Sequence, residues 1–600
     1  MRFSPFPIAR AIIPQPFARI SCTPALCALA HTFYATNYPM RTVRGCGGVY
    51  ALTVQNARAY TDMTNKQIAK VFDQLASLME LHEEDPFRIR SYRNAYMTLR
   101  KADRPLAGMS DAEIKAIKGV GPAIAAKIRE LLDTGSMQTL QKYLDRTPPG
   151  VVEMLDISGF GPGKVRAVWK EMGIESLGEL WYACNENRLV AYKGFGPKTQ
   201  EDLRGKLEFF QKNKGKLRLD LALEGAELAC RILGERLPGA FVAPVGEARR
   251  RCPVVTQIEV LVGHNADIAG AFDAETLILE RQEATSAYHA RLADGIPVIV
   301  RRCMAEAFAS RLFELTGSEA FLKAFAGSQT PDWGAMRDER DVFERFGRAY
   351  VAPELRESGQ WATGASMPDL VTDADIQGVV HAHTTWSDGA QTLRAMCEYA
   401  RDAGYVCLGV TDHSQSAFYA NGLKPDQVRA QWEEIEALNA ELAPFRIFKG
   451  IESDILYDGS LDYDDALLEG FDFVIASVHS QLRMDRDKAT ARILRAIEHP
   501  ATTILGHPTG RLLLSREGYE LDWDAVFEAC ARCGVAIELN ANPYRLDLDW
   551  TLIPRAVAAG VKIAINPDAH SVTGIGDIRY GVMAARKGGL TAADLFCLWE

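Results

Sequence analysis

The chain has 600 residues, 47% hydrophobic and 24% charged, the composition of a globular protein with several domains. No apolar stretch reaches the length needed to cross a bilayer, so no membrane segment is expected. The 12 cysteines are scattered without a disulfide framework, which fits a reducing cytosol. The net charge of −10 is unevenly spread: residues 361–600 hold 35 acidic against 20 basic side chains, and residues 63–220 hold 26 basic against 21 acidic.

Residues 1–62 carry six Arg and no acid before Asp62, with Pro, Ser, Thr and Cys throughout. Transit peptides have this composition, and so does translated upstream sequence. We expect an overlong start, with organelle targeting as the alternative, and place the segment outside the fold. From Met63, MTNKQIAKVFDQLASLMELHEEDPF has helical apolar spacing and predicts an amphipathic helix.

Three segments then share one pattern: IKGVGPAIAAKI at 117–128, ISGFGPGKVRAVW at 157–169 and YKGFGPKTQEDL at 192–203. Each places an apolar residue between two glycines, then a proline and a basic helix start: Gly119, Gly121 and Lys127; Gly159, Gly161 and Lys164; Gly194, Gly196 and Lys198. Glycine permits a tight turn with close backbone approach, and the following helix N-terminus offers free N–H groups to a phosphate. These are helix-hairpin-helix elements that hold a DNA backbone without reading its sequence. We divide this region into a small helical domain, 63–147, and a fingers-like region, 148–220. The segment LMELHEEDPFRIRSYRNAYMTLRK resembles the DNA-end-binding domain of family X DNA polymerases. The resemblance implies that Arg88, Arg90 and Arg93 meet a 5′-phosphate, with DNA ends or gaps as the partner.

Residues 221–360 correspond to the α+β nucleotidyltransferase-like palm and thumb of that family. Family members carry Gly-Ser before a basic turn, a strand with two aspartates one residue apart, and a third aspartate on a neighbouring strand. Here VGEARRRCPVVTQIEVLVG retains Gly246 but has Glu247 for the serine, and the aspartate positions hold Gln257 and Glu259. In GIPVIVRRCMAEAF the third position is Ile299, by the alignment that sets Arg301 and Glu306 on family residues. TGSEAF at 316–321 matches a later family segment. Two Mg²⁺ ions need anionic oxygen ligands for nucleotidyl transfer, so the expectation is a palm without polymerase activity.

Residues 361–600 contain seven short apolar runs that end in potential metal ligands: GVVHAHTTWSDG, VCLGVTDH, FRIFKGIESD, FDFVIASVHS, TTILGHP, VAIELNANP and KIAINPDAH. Buried parallel strands read this way, and the intervening segments have helical spacing. Repeated strand–helix units predict a β/α barrel with its site at the C-terminal ends of the strands. Imidazole with carboxylate suits Mn²⁺, Fe²⁺ or Zn²⁺. Glu538 and Asn540 also stand at a strand end. The lone Cys530-x-x-Cys533 lacks the second pair of a structural zinc site.

These motifs resemble, in order, those of the polymerase-and-histidinol-phosphatase (PHP) phosphoesterases, which have a distorted seven-stranded barrel and a trinuclear metal site. The resemblance implies that His381, His383, Glu452 and Asp568 hold one ion. Glu452 would bridge to a second ion held by His479 and His507, and Asp388, His413 and His570 would hold a third. Arg511 is a candidate phosphate clamp, and Asp412 a residue that orients a ligand. Over residues 63–600 the match is to bacterial family X polymerases with a C-terminal PHP domain. We therefore expect a monomeric, nucleoid-associated cytoplasmic enzyme with three divalent ions, Mn²⁺ first and Zn²⁺ or Fe²⁺ as alternatives. The expected reaction is 3′–5′ exonucleolysis or removal of 3′-blocking groups in DNA repair. A phosphatase for a small phosphomonoester and a non-catalytic DNA-bridging repair module are the competing readings.

Overall fold

The computed structural model describes residues 63–598 except 103, 186–187, 284–285, 328–335 and 365. The Arg-rich segment 1–62 lies outside the described residues.

The helix Asn65–Leu81 begins at a capping box: the Thr64 side chain accepts from Gln67 N, and the Gln67 side chain closes back on the Thr64 backbone, which satisfies two helix-end donors reciprocally. Its buried stripe of Ile68, Phe72, Leu75 and Met79 packs on the helix Pro86–Leu99. One hydrophobic core runs from Ile68 to Leu207, so the division expected at 147/148 falls inside a continuous core.

The middle of the chain is a five-stranded sheet of β1 (Phe241–Val245), β2 (Ile258–Gly263), β3 (Leu277–Glu283), β4 (Ala287–Leu292) and β5 (Pro297–Cys303). The strand order is β1-β2-β5-β4-β3, with β2 and β5 parallel and the other neighbours antiparallel. Period-two alternation sends Ile258, Val260, Val262, Val298 and Val300 into the core under the helix Leu219–Arg236. The opposite face therefore carries Glu259, Ile299 and Arg301. Leu219 and Leu223, at the start of that helix, belong to the barrel core instead.

Seven parallel strands follow in sequence order: β6 (Gly378–Val379), β7 (Cys407–Val410), β8 (Arg446–Asp454), β9 (Phe473–Ser477), β10 (Ile504–Leu505), β11 (Ala536–Asn540) and β12 (Ile563–Asn566). A parallel bridge between Ala382 and Ala569 joins the first strand to the last. Phe473 fills part of the interior beside Gly409 and Gly450, where an added Cβ would come within 2.6 Å and 2.3 Å of its ring. The strands are buried on both faces, as a parallel sheet covered by helices requires. Among the described residues, no helix is long and apolar enough to cross a membrane.

Candidate metal centre and nucleic-acid surface

Parallel winding brings successive strand ends to one rim of the barrel. His381 and His383 follow β6, His413 follows β7, Glu452 lies on β8, His479 follows β9, His507 follows β10, and Asp568 and His570 follow β12. His507 and Asp568 adopt left-handed backbone, φ 22° and 52°, a conformation that costs a non-glycine residue about 1–3 kcal/mol.

Glu452 is the hub. Its Oε1 lies 3.5 Å from His381 Nε2, 3.2 Å from His479 Nε2 and 2.9 Å from His507 Nε2, and its Oε2 lies 3.6 Å from His383 Nε2 and 3.1 Å from His413 Nδ1. Asp568 Oδ1 is 3.2 Å from His383 Nε2, and Asp388 Oδ1 is 3.4 Å from His570 Nε2. Three groups are close enough to share a cation: His381, His383 and Asp568; His413, Glu452 and His479; and His383, Asp388, His413 and His570. The structure thus brings all nine candidate ligands together. His413 stands between the second and third groups, and His507 joins the centre through Glu452.

The electrostatics of this cluster are divided. Burial lowers the ring pKa of His413 to about 3, with neighbouring His383 adding to the effect. At His479 the carboxylates of Glu452 and Asp454 outweigh burial and raise the ring to about 10. At His570 the bond to Asp388 and the charge of Asp568 outweigh burial and raise it to about 9. Glu452 is held well below the usual carboxylate range, since the imidazoles of His479, His381 and His413 overcome its burial. His381 Nε2, His383 Nε2 and Glu452 Oε2 are buried without a hydrogen-bond partner. Each such atom costs about 1–3 kcal/mol if left bare, and the donor set, imidazole nitrogen with carboxylate oxygen, fits a divalent transition-metal ion.

An outer layer fixes the ligands. His381 Nδ1 donates to Glu538 Oε1 at 2.6 Å, and His479 Nδ1 donates to Asp454 Oδ1 at 2.6 Å. Each carboxylate fixes its ring with the opposite nitrogen facing the centre. Asn540 donates to Asp568 at 3.1 Å and to Glu538 at 3.2 Å. Glu538 and Asn540 therefore stand behind the ligands. Asp454 was missed in the sequence; its signal was its place two residues after Glu452, on the same face of a strand.

Asp412 is buried and accepts from Thr384 N, Thr384 Oγ1 and Gln431 Nε2 at 2.8, 2.8 and 2.6 Å, and from Ser387 Oγ. It holds the loop that carries Asp388 and touches no ligand ring. Arg511 departs from its expected role. Its guanidinium donates to Arg545 O at 2.9 Å, to Asp549 at 2.5 Å and to Leu546 O, so its donors brace a loop. The loop it braces carries Arg545, whose Nε lies 3.5 Å from Asp568 Oδ2. Cys530 is buried and Cys533 exposed on the helix Trp523–Cys533, and neither joins a donor group.

The three glycine segments have one geometry. Gly119, Gly159 and Gly194 take φ 89°, 71° and 93°, which only glycine adopts readily. Gly121, Gly161 and Gly196 cap the helices Pro122–Thr134, Pro162–Met172 and Pro197–Asn213 with extended backbone and no side-chain cap. An added Cβ at any of these three caps would meet nothing within 4 Å, so internal packing does not explain the glycine. In the third hairpin a 3₁₀ turn, Leu189–Ala191, replaces the first helix. Lys164, Lys198, Arg88 and Arg90 are exposed. Lys127 and Arg93 are not free: Lys127 donates to Thr139 Oγ1 at 2.5 Å, and Arg93 pairs with Asp73 at 2.7 Å and Glu80 at 3.2 Å. The third hairpin helix reaches the barrel rim, where Asp202 pairs with Arg483 at 2.5 Å, four residues after His479.

A helix-hairpin-helix domain model matches residues 63–137, a SAM-like helix-hairpin-helix tandem model matches 151–206, and a PHP domain model matches 380–542. The chain is 33% identical over 559 residues to the DNA polymerase/3'-5' exonuclease PolX of Bacillus subtilis (strain 168), covering 88% of this chain and 96% of that protein. The chain belongs to the bacterial PolX family. Probable phosphatases of Thermoanaerobacter sp. (strain X514) and Syntrophotalea carbinolica are 27% and 29% identical over 228 and 226 residues, in each case 36% of this chain and 87% and 89% of theirs.

The positions read in the sequence as a palm centre lie on or beside the five-stranded sheet. Glu259 on β2 sits opposite Ile299 on β5, and Arg301 holds the Glu259 carboxylate at 2.5 Å. Gln257 is exposed just before β2. Gly246 takes φ 63°, and an added Cβ there would lie 2.8 Å from Glu259 Oε2. Glu247 turns away to accept from Thr256 N and Oγ1 at 2.5 and 2.6 Å.

Proposed function

We propose that this PolX member is a divalent-metal-dependent phosphoesterase acting on DNA, a 3′–5′ exonuclease or 3′-end-processing nuclease in DNA repair, that has lost nucleotidyl transfer. The observation that carries the reading is the clustering of nine candidate ligands at one barrel rim, with five imidazoles around the Glu452 carboxylate, beside a hairpin helix salt-bridged to the same rim. His381, His383, Glu452 and Asp568 would hold one ion, Glu452, His479 and His507 a second, and Asp388, His413 and His570 a third, with Mn²⁺ the first candidate and Zn²⁺ or Fe²⁺ the alternatives. When bound, such ions supply Lewis acidity and charge neutralisation at phosphorus. The protein's own residues do the rest: Glu538 and Asp454 orient rings, Asp412 holds the Asp388 loop, and Arg545 takes the phosphate-positioning role first given to Arg511. Residues 63–147 and 148–220 bind DNA, 221–360 form an inactive palm, and 361–600 hydrolyse.

The phosphomonoesterase alternative draws on relatives that match only the barrel third of this chain. The deciding experiment compares the Mn²⁺-loaded full chain on end-labelled single-stranded, gapped and 3′-phosphorylated DNA with its activity on a generic phosphomonoester. The triple variant Gly121→Val, Gly161→Val, Gly196→Val removes the close approach at all three caps. A hydrogen bond to a charged group contributes about 1.5–3 kcal/mol, so affinity for two unrelated duplexes should fall at least about tenfold and equally for both. Wild-type activity confined to the phosphomonoester, with unchanged DNA affinity in the folded variant, would overturn the reading.

A further inference from the structure

The loop after β7 displays two adjacent aromatic side chains to solvent. Phe418 is 82% and Tyr419 65% exposed, yet the residues flanking them, Ala417 and Ala420, are fully buried. The loop is closed at its stem. Ser414 N donates to Glu452 O at 3.0 Å, Leu423 N donates to His413 O at 2.9 Å, and the Tyr463 hydroxyl donates to Leu423 O. An added Cβ on Gly422 would overlap the Ser414 carbonyl at 1.8 Å. Ser416 Oγ donates to Asp454 Oδ2 at 2.7 Å, the carboxylate that orients His479. The closed stem therefore sets the aromatic tip beside the metal centre, and the Tyr419 ring centroid lies 6.3 Å from those of both His413 and His479. Across the rim, Tyr544 has its ring face covered by Arg218 at 3.6 Å; Phe418 carries no such cover among the described residues.

A folded loop gains nothing in water from exposing two adjacent rings, so a ligand is the natural occupant. Bases of single-stranded nucleic acid stack on such platforms without regard to sequence. Three hairpins that hold backbone without reading bases, and a hydrolytic centre one ring away, make a nucleobase the matching partner. We propose that Phe418 and Tyr419 stack the terminal bases of a single DNA strand and so position its last phosphodiester at the metal centre, a proposal that rests on the DNA phosphoesterase reading. It makes a single-stranded end with unstacked bases the preferred substrate.

The test uses the Mn²⁺-loaded full chain and two end-labelled single strands, one with normal bases and one whose last three nucleotides are abasic. The wild type should show a KM about tenfold lower for the base-bearing strand, the size expected of one stacked base. Phe418→Ala, at a position that supports no packing, and the double variant with Tyr419→Ala should each lower that ratio toward one. Phe418→Trp should restore it. Metal content by elemental analysis separates loss of stacking from damage to the centre. A ratio unchanged in the double variant, or a wild type indifferent to the missing bases, overturns the proposal while leaving the nuclease reading intact. A wild type inactive on both strands removes the nuclease reading and the proposal with it.

Discussion

Glu452→Gln should abolish phosphoester hydrolysis while leaving DNA binding intact. No other side chain in the centre meets five imidazoles, which approach both of its oxygens. Replacing one oxygen with an amide nitrogen removes a ligand atom and deletes the charge that offsets the cations. Metal-centred charge stabilisation is worth several kcal/mol at phosphorus, so the rate should fall by about 10³-fold or more. Glu452→Ala should also release more metal than His413→Ala, because His413 is one imidazole at the boundary of two groups. Elemental analysis, nuclease assay and duplex binding on each variant check this. A folded Glu452→Gln protein with full metal and wild-type hydrolysis would remove Glu452 from the centre.

Template-directed extension should be absent. On a gapped duplex with all four nucleotides and Mg²⁺ or Mn²⁺, no primer extension is expected, because one carboxylate remains where the family carries three. That carboxylate, Glu259, is already neutralised by Arg301 at 2.5 Å, and its neighbour across the strands is Ile299, which cannot ligate. Mg²⁺ demands near-octahedral oxygen coordination, and this face cannot supply it. Extension that survives Gln257→Ala and Glu259→Ala would locate a polymerase site elsewhere in the chain. Extension lost in Glu259→Ala would show that the single carboxylate suffices.

The barrel and the residues that cluster on its rim were legible in the sequence because buried parallel strands are short apolar runs and their C-terminal ends form one rim. His381, Glu452 and Asp568 needed only that rule. The hairpins were legible because a positive-φ turn demands glycine, and Gly119, Gly159 and Gly194 obey it. What remained hidden depends on contacts between elements distant in sequence. Arg511 and Arg545 are both loop arginines, and only the packing of their loops shows that the first braces and the second faces Asp568. Arg93 looked like a phosphate ligand until the preceding helix set Asp73 and Glu80 beside it. Nothing in the local sequence announces the pairing of Asp202 with Arg483.

The barrel seam has a mechanical consequence. The first and last strands are joined at Ala382 and Ala569 by only two backbone hydrogen bonds, His383 N to Ala569 O at 2.8 Å and Ala569 N to His381 O at 3.2 Å. His381 and His383 lie on one side of that junction, Asp568 and His570 on the other. These residues would hold a cation across the junction, which would act as a clasp on a hoop and contribute about 2.7 kcal/mol at a hundredfold excess over its Kd. Chelation should therefore spring the hoop at its clasp, with amide exchange rising first at residues 380–383 and 567–570 and only later in β8 and β9. Exchange that rises uniformly around the barrel would mean that the clasp bears no strain.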